Sequence, residues 1–223
     1  MTETLDGPRL APASGGPARQ LVIFLHGYGA DGNDLIGLGR EWQHLLPDAA
    51  FVSPHAPEPC GMAPMGRQWF ALTRLDPDEY WTGVRHAAPA LDAFIDAELD
   101  RHGLDDSRLA LVGFSQGTMM SLHVGLRRAR PAAGILGYSG ALAGPEHLDA
   151  EIAARPPVLL VHGDRDEVIP VAALQIAAQA LGRAEVPVQW HVSHGVGHGI
   201  APDGLALGGQ FLGEVFAVPA GRP

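Results

Sequence analysis

The sequence predicts an α/β fold, in which helices cover both faces of a mostly parallel central sheet. Two observations predict it. Six short apolar runs rich in β-branched residues are typical of strands that are buried on both faces. Stretches with helical spacing separate most of these runs, and strands that alternate with helices favour parallel pairing. Because such folds bind ligands at the carboxyl ends of their strands, we expect the functional residues in the loops that follow them.

Strands and helices alternate along most of the chain. The strands are predicted at residues 21–25, 51–53, 109–112, 134–138, 158–161 and 188–192. The helices are predicted between Asp76 and Gly103 and over residues 116–128, 171–181 and 205–216. The first helix contains Pro89, where we expect a kink. Residues 54–75 lack clear periodicity, and we expect them to form a lip of the functional site.

The first residues of the chain differ from the rest. Residues 1–19 are rich in Pro, Gly and small polar residues, so we expect an N-terminal segment that is partly flexible or adds an edge strand near residues 9–11. No repeat or linker divides the remainder, which predicts a single domain over residues 20–218.

Composition and charge argue against several classes of protein. The 223 residues are 46% apolar and 18% charged, an ordinary globular composition. A formal net charge of -10 disfavours binding to nucleic acid. The single cysteine, Cys60, excludes an internal disulfide and a CxxC metal site, and fits a reducing compartment. No stretch approaches about 18 consecutive apolar residues and no signal peptide is evident, so we expect a cytoplasmic protein without an integral membrane segment.

Residues 113–117 match the pattern G-x-S-x-G, with Ser115 at its centre. In this pattern the serine occupies a tight turn between a strand and a helix, which exposes its hydroxyl above the sheet. The match has the context that the chemistry requires, because a predicted strand precedes it and a predicted helix follows it. Ser115 is therefore the candidate nucleophile.

A serine nucleophile needs a base, usually His, and that His needs a carboxylate to orient it. Asp166 follows the strand at 158–161, and His198 lies in the Gly-rich loop after the last strand. Both follow Ser115 in the chain order Ser, Asp, His. Asp164 and His194 lie on the same two loops and are the alternatives. We expect Asp164 to stabilise its own turn, since it directly follows a glycine.

Acyl transfer also requires hydrogen-bond donors for the oxyanion of its tetrahedral intermediate. One donor is expected from the backbone N–H of Gln116, the residue after the nucleophile. The second candidate is the backbone N–H of Tyr28, in the Gly-rich loop after the first central strand. An ordinary Gly-rich turn is the alternative for that loop.

Four motifs occur in order along the chain: LHGYGADGNDL, GFSQGT, HGDRDEVIP and GHGI. Together they resemble the phospholipase/carboxylesterase family that includes the acyl-protein thioesterases, over residues 21–216. The resemblance implies an α/β-hydrolase fold, a triad of Ser115, Asp166 and His198, and an oxyanion hole made by the N–H groups of Tyr28 and Gln116. It implies no cofactor. Where the family usually has Gly after the elbow, this chain has a threonine, which bears on the packing behind the nucleophile.

The resemblance also bears on the substrate site. Trp69 matches an aromatic residue of the family, and we expect it either to form a wall of the acyl site or to pack in the core. Further candidate apolar contacts are Ile36, Leu38, Leu72, Leu75 and Ile169. Only about 18 residues separate Tyr138 from Pro157, too few for a cap domain, so an open site is expected.

The expected partner is a small-molecule ester or thioester, with lysophospholipids among the possible substrates. We expect a monomer or a homodimer. Two alternatives remain. One is an acyltransferase or peptidase with this triad, and the other is a non-catalytic protein of the same fold that binds an acyl ligand.

Overall fold

A computed structural model describes residues 5–217 and contains a seven-stranded sheet in the order β1-β3-β2-β6-β7-β8-β9. All neighbours pair in parallel except β1 and β3, which are antiparallel. The strands of this sheet are β1 Arg9–Leu10, β2 Gln20–Leu25, β3 Ala49–Val52, β6 Leu109–Phe114, β7 Gly134–Tyr138, β8 Val158–Gly163 and β9 Val188–Ser193. A separate antiparallel pair joins β4 Glu58–Pro59 to β5 Arg67–Gln68.

Helices cover both faces of the sheet. They are α1 Gly32–Trp42, α2 Pro77–His102, α3 Gln116–Gly125, α4 Leu148–Glu151, α5 Ala172–Arg183 and α6 Pro202–Ala217. Alternate residues of β2 point to opposite faces: Leu21 and Ile23 join the core beneath α2 and α3, whereas Val22 and Phe24 join the core beneath α1 and α6. A third apolar cluster lies between α5 and the sheet. The mostly parallel sheet with helices on both faces is therefore confirmed.

The strand register brings the carboxyl ends of the central strands to one edge. Leu25 of β2 lies opposite Gly113 of β6, and Phe114 lies opposite Tyr138 of β7. Further along the sheet, Gly163 of β8 lies opposite Ser193 of β9. The loops that follow β2, β6, β7, β8 and β9 consequently meet at this edge, which we call the active edge.

The sequence predictions missed α1. No helix was predicted over these residues, and glycines at 32, 37 and 39 lower the helix propensity of the segment. The structure shows how the helix forms nevertheless. The Asp31 side chain accepts a hydrogen bond from the Asn33 amide at 2.7 Å, as an N-cap does, and the buried face includes Leu35 and Trp42. Tertiary packing thus outweighs local propensity here.

Smaller differences concern the ends of other elements. Helix α3 ends at Gly125, three residues before the predicted end at Arg128, and α2 continues through Pro89 as one helix. The pair β4–β5 lies in the segment 54–75, for which no strand was predicted. The two-residue strand β1, Arg9–Leu10, is one of the two outermost strands of the seven-stranded sheet and pairs with β3. Of the predicted segments, residues 1–4 and residue 218 lie outside the described residues.

The connection between β7 and β8 is short. Residues 139–157 contain one 3-10 turn and the four-residue helix α4, so this fully described connection holds no cap domain. Across residues 5–217, no helix has both the length and the apolar character needed to cross a membrane. The same residues include no cluster of three or more His, Cys, Asp or Glu side chains that would hold a metal ion.

Candidate active site

Ser115 occupies a strained turn between β6 and α3. Its backbone angles are φ 55° and ψ -116°, an unusual conformation for a residue with a side chain, and its amide donates to the Tyr138 carbonyl at 2.9 Å. The two glycines of the motif are required by close packing. A Cβ atom at Gly113 would collide with the backbone of Gly117, and one at Gly117 would collide with the Leu25 carbonyl. The local sequence therefore permits a turn that raises Ser115 at the active edge.

Asp166 and His198 form a hydrogen bond between the loops after β8 and β9. His198 Nδ1 donates to Asp166 Oδ2 at 2.8 Å, and the other carboxylate oxygen, Oδ1, accepts from the amides of Val168 and Ile169 at 2.9 Å each. Burial opposes ionisation of Asp166, but these hydrogen bonds outweigh it, so the pKa of its carboxyl group lies below the ordinary value. With Nδ1 donating to Asp166, Nε2 of His198 is left to accept a proton.

His198 lies next to the nucleophile turn. Its ring packs against Phe114, with ring centroids 4.9 Å apart, and Phe114 directly precedes Ser115. The adjacent residue Gly199 accepts a hydrogen bond from Ser139 Oγ at 3.4 Å. Within the described residues, no hydrogen bond joins Ser115 Oγ to His198 in this structure; such bonds often tighten only when substrate binds.

Asp164 and His194 form a second pair across the same two loops. His194 Nδ1 donates to Asp164 Oδ2 at 3.0 Å, and the Gly195 amide donates to Asp164 Oδ1 at 2.6 Å. The expectation that Asp164 stabilises its own turn is therefore wrong in one respect: its carboxylate bonds to the neighbouring loop. The reason is the parallel register of β8 and β9, which brings the two loops side by side.

The loop that carries Tyr28 lies against the nucleophile. A Cβ atom built on Gly27 would be 3.3 Å from Ser115 Cβ and 3.1 Å from the Phe114 ring, so the backbone of this loop approaches the serine closely. The hydroxyl group of Tyr28 lies beside Cys60 and the Leu72 backbone, and burial raises the pKa of Tyr28. The loop that carries one proposed oxyanion donor, Tyr28, thus approaches the turn that carries the other, Gln116.

Two histidines that the sequence analysis did not single out support these loops. The His162 ring is buried, and its Nε2 donates to the Ile169 carbonyl at 2.8 Å and lies 3.3 Å from Asp166 Oδ2. His26 is fully buried at the end of β2. A signal was available in the sequence, because each of these histidines directly precedes a glycine at the end of a predicted strand.

Thr118, where the family usually has Gly, is accommodated by glycines. Its hydroxyl lies 2.9 Å from the Gly113 carbonyl and 2.8 Å from the Tyr138 carbonyl, so one proton is shared between two acceptors. A Cβ atom on either Gly137 or Gly140 would collide with the threonine side chain. The threonine side chain thus adds a hydrogen-bonded hydroxyl group behind the nucleophile.

The predicted apolar contacts have different surroundings. Trp69 is fully buried, so the structure favours core packing over a wall of the acyl site. Ile36 is a correction: α1, which was not predicted, turns its side chain into the core beneath that helix. Ile169 is 8% exposed beside the Asp166 loop, and Leu72 is half-buried against the core beneath α2 and α3.

The two remaining candidates also differ in their surroundings. Leu38 packs against the core beneath α1 and α6, and Leu75 is 65% exposed.

An open groove begins beside Tyr28. It has a volume of about 580 Å³ and is lined by Gly29, Ala30, Asp31, Asn33, Asp34, Ala63, Pro64, Met65 and Gly66. Large apolar side chains are exposed on the neighbouring loops: Met62 at 82%, Met65 at 92% and Val168 at 66%. The surface around the active edge is therefore open and partly apolar.

Comparisons with known proteins identify the family of the chain. Residues 11–215 match the family described as Phospholipase/Carboxylesterase. The chain is 30% identical over 221 residues to an acyl-protein thioesterase 1 of Gibberella zeae, covering 90% of this chain and 94% of that protein. It is also 30% identical over 184 residues to the esterase YpfH of Escherichia coli, covering 82% and 78%. The crystal structure of the esterase PE8 superposes with a TM-score of 0.93 at 45% identity, covering 96% of this chain and 100% of that one. The chain therefore belongs to the phospholipase/carboxylesterase family and is, like its members, a carboxylic ester hydrolase with the α/β-hydrolase fold.

Proposed function

We propose that the protein hydrolyses carboxylic esters and thioesters through an acyl-enzyme, with Ser115, His198 and Asp166 as its catalytic triad. The observation that carries the proposal is the hydrogen bond of 2.8 Å between His198 and the buried Asp166 carboxylate, at the edge where the strained turn presents Ser115. A neutral imidazole held in this way is the base that a serine hydroxyl requires.

The reaction has two halves. In the first, Ser115 Oγ attacks the substrate carbonyl carbon while His198 Nε2 takes the hydroxyl proton; the tetrahedral intermediate then collapses, and His198 returns the proton to the departing alcohol or thiol. In the second, His198 takes a proton from water, the resulting hydroxide attacks the acyl-enzyme, and the carboxylic acid leaves as Ser115 regains its proton. The amides of Tyr28 and Gln116 stabilise the oxyanion in both halves.

Asp166 serves both halves as an anion. Its lowered pKa keeps the carboxylate ionised, so it holds the Nδ1–H tautomer of His198 and stabilises the imidazolium that forms after proton transfer. The amides of Val168 and Ile169 fix the same carboxylate, which limits its rotation away from the ring.

For the substrate we propose acyl chains of small to medium length. The open groove beside Tyr28 and the exposed apolar side chains of Met65 and Val168 support a chain that lies across the surface. Leu72 and Ile169 are the proposed contacts of the acyl group near the reacting carbonyl. The thioesterase relatives support thioesters, and lysophospholipids are the second candidate because they present an ester beside a long apolar chain.

The test compares p-nitrophenyl esters of increasing chain length, an acyl thioester and a lysophospholipid in parallel. Ser115→Ala should reduce the turnover of every substrate to a trace. The matched control is Ser14→Ala, because Ser14 is exposed and its amide bonds to Pro47, which precedes β3 at the opposite edge of the sheet. Unchanged turnover in Ser115→Ala would contradict the proposed nucleophile.

A further inference from the structure

One buried chain of hydrogen bonds connects the two proposed oxyanion donors. It begins at Gln116, whose side-chain Oε1 accepts from the Trp69 amide at 2.9 Å. The Trp69 indole Nε1 then donates to the His26 carbonyl at 3.0 Å. Finally, His26 Nδ1 lies 2.8 Å from the Gly27 carbonyl. The chain thus leads from the residue after the nucleophile to the peptide unit that contains the Tyr28 N–H.

The hydrogen bonds of His26 determine its tautomer. The Ala56 amide donates to Nε2 at 3.0 Å, so Nε2 carries no proton. Nδ1 therefore carries the proton of the neutral ring and donates it to the Gly27 carbonyl. The ring is fully buried, and burial is the largest influence on it; the net effect lowers the pKa of His26, which favours this neutral form.

The Gly27 carbonyl and the Tyr28 N–H belong to the same planar peptide unit. Because that unit is rigid, a hydrogen bond to its oxygen also sets the direction of its N–H. We propose that His26, as the Nδ1–H tautomer, is a positioning residue that aims the Tyr28 amide at the oxyanion. The inference rests on the proposed function, since it assumes that Tyr28 N–H is an oxyanion donor.

Two substitutions each retain one of the two hydrogen bonds of the His26 ring and remove the other. In His26→Asn, the amide Nδ2 lies as many bonds from the backbone as imidazole Nδ1 does, so it retains the donor to Gly27. In His26→Gln, the amide Oε1 lies as many bonds from the backbone as Nε2 does, so it retains only the acceptor for Ala56. The control is His44→Gln, because His44 is exposed and its Nδ1 also contacts a backbone carbonyl, that of Glu41, at 2.7 Å.

We expect His26→Gln to lower kcat roughly 10- to 100-fold, in line with the weakening of one oxyanion donor. KM should change by less than about threefold, because the donor acts mainly in the transition state. His26→Asn should recover most of the lost kcat, and His44→Gln should behave as the wild type. A trifluoromethyl ketone forms a tetrahedral adduct with a serine nucleophile. Its affinity for His26→Gln should fall in proportion to the fall in kcat/KM. Equal kcat in the two His26 variants at equal thermal stability would overturn the inference.

The proposed function is tested separately in the same series. If wild-type protein hydrolyses the ester and Ser115→Ala does not, the nucleophile stands whatever the His26 variants do. Nitrogen-15 NMR of the histidine rings in wild-type protein tests His26 without any substitution, in case the variants fail to fold. A neutral ring with its proton on Nδ1 is expected at about pH 8, above the ordinary pKa of a histidine ring. A proton on Nε2, or a doubly protonated ring, would overturn the positioning role.

Discussion

The loops after β8 and β9 are joined by two Asp–His pairs of the same chemistry in different surroundings. Asp166 and His198 have side chains that are 0% and 19% exposed, whereas those of Asp164 and His194 are 32% and 88% exposed. Both carboxylates also accept hydrogen bonds from backbone amides. Water competes for the hydrogen bond of the exposed pair, because it can solvate the carboxylate and the imidazole separately. It is largely excluded from the buried pair.

The comparison shows that residue type and loop position do not by themselves identify a catalytic pair. Both histidines follow β9, and both aspartates follow β8. What distinguishes Asp166 and His198 is burial, together with the contact of the His198 ring with Phe114, beside Ser115. We therefore expect the buried pair to act in catalysis and the exposed pair to join two loops.

The largest expected difference separates the two histidines. His198→Ala removes the proposed base and should lower kcat/KM roughly 10,000-fold or more, because the serine hydroxyl then lacks the group proposed to take its proton. His194→Ala removes only an exposed contact and should change kcat/KM less than about threefold. Steady-state hydrolysis of a p-nitrophenyl ester measures both. Similar losses in the two variants would remove the distinction between the pairs.

The aspartates should differ almost as much. Asp166→Asn keeps an acceptor for the Val168 amide, but it presents an amide to His198 and favours the wrong tautomer, so kcat should fall roughly 1,000- to 10,000-fold. Asp164→Asn should retain activity within about fivefold, because its partner His194 is 88% exposed and takes no part in the proposed reaction. If Asp164→Asn is the more damaging substitution, Asp164 is the orienting carboxylate instead.

The pH profile of activity sharpens the same contrast. A protonated His198 cannot accept the serine proton, so kcat/KM should decline on the acidic side, and it should do so equally in wild type and in His194→Ala. The rates are measured with one ester from about pH 4 to pH 9. A flat profile down to about pH 4 would contradict a histidine base.

The smallest expected effect concerns stability in acid. Hydrogen bonds depress the pKa of both Asp166 and Asp164 in the folded protein. A depressed carboxyl pKa contributes stability above the unfolded value of about 3.9, and the contribution is lost as pH falls through the lower folded value. The melting temperature of Asp166→Asn should therefore approach that of wild type below about pH 4. A gap between the two that widens in acid would contradict this linkage.

Part of this arrangement could be predicted from the sequence because it depends on chain order. Ser115, Asp166 and His198 each follow an apolar run, and parallel strands bring such positions to one edge. The supporting contacts could not be predicted, since Trp69 and His26 are 43 residues apart and the bond between them depends on the packed structure. Ile36 was misplaced for a related reason: glycine propensity concealed α1, and with it the face that the helix buries.

The most direct test of the central claim is the rate at which a fluorophosphonate probe labels the protein, followed by peptide mapping. We expect a covalent adduct on Ser115, formed much more slowly in Asp166→Asn than in wild type and at nearly the wild-type rate in Asp164→Asn. An adduct on another residue, or equal rates in the two aspartate variants, would contradict activation of Ser115 by the buried pair.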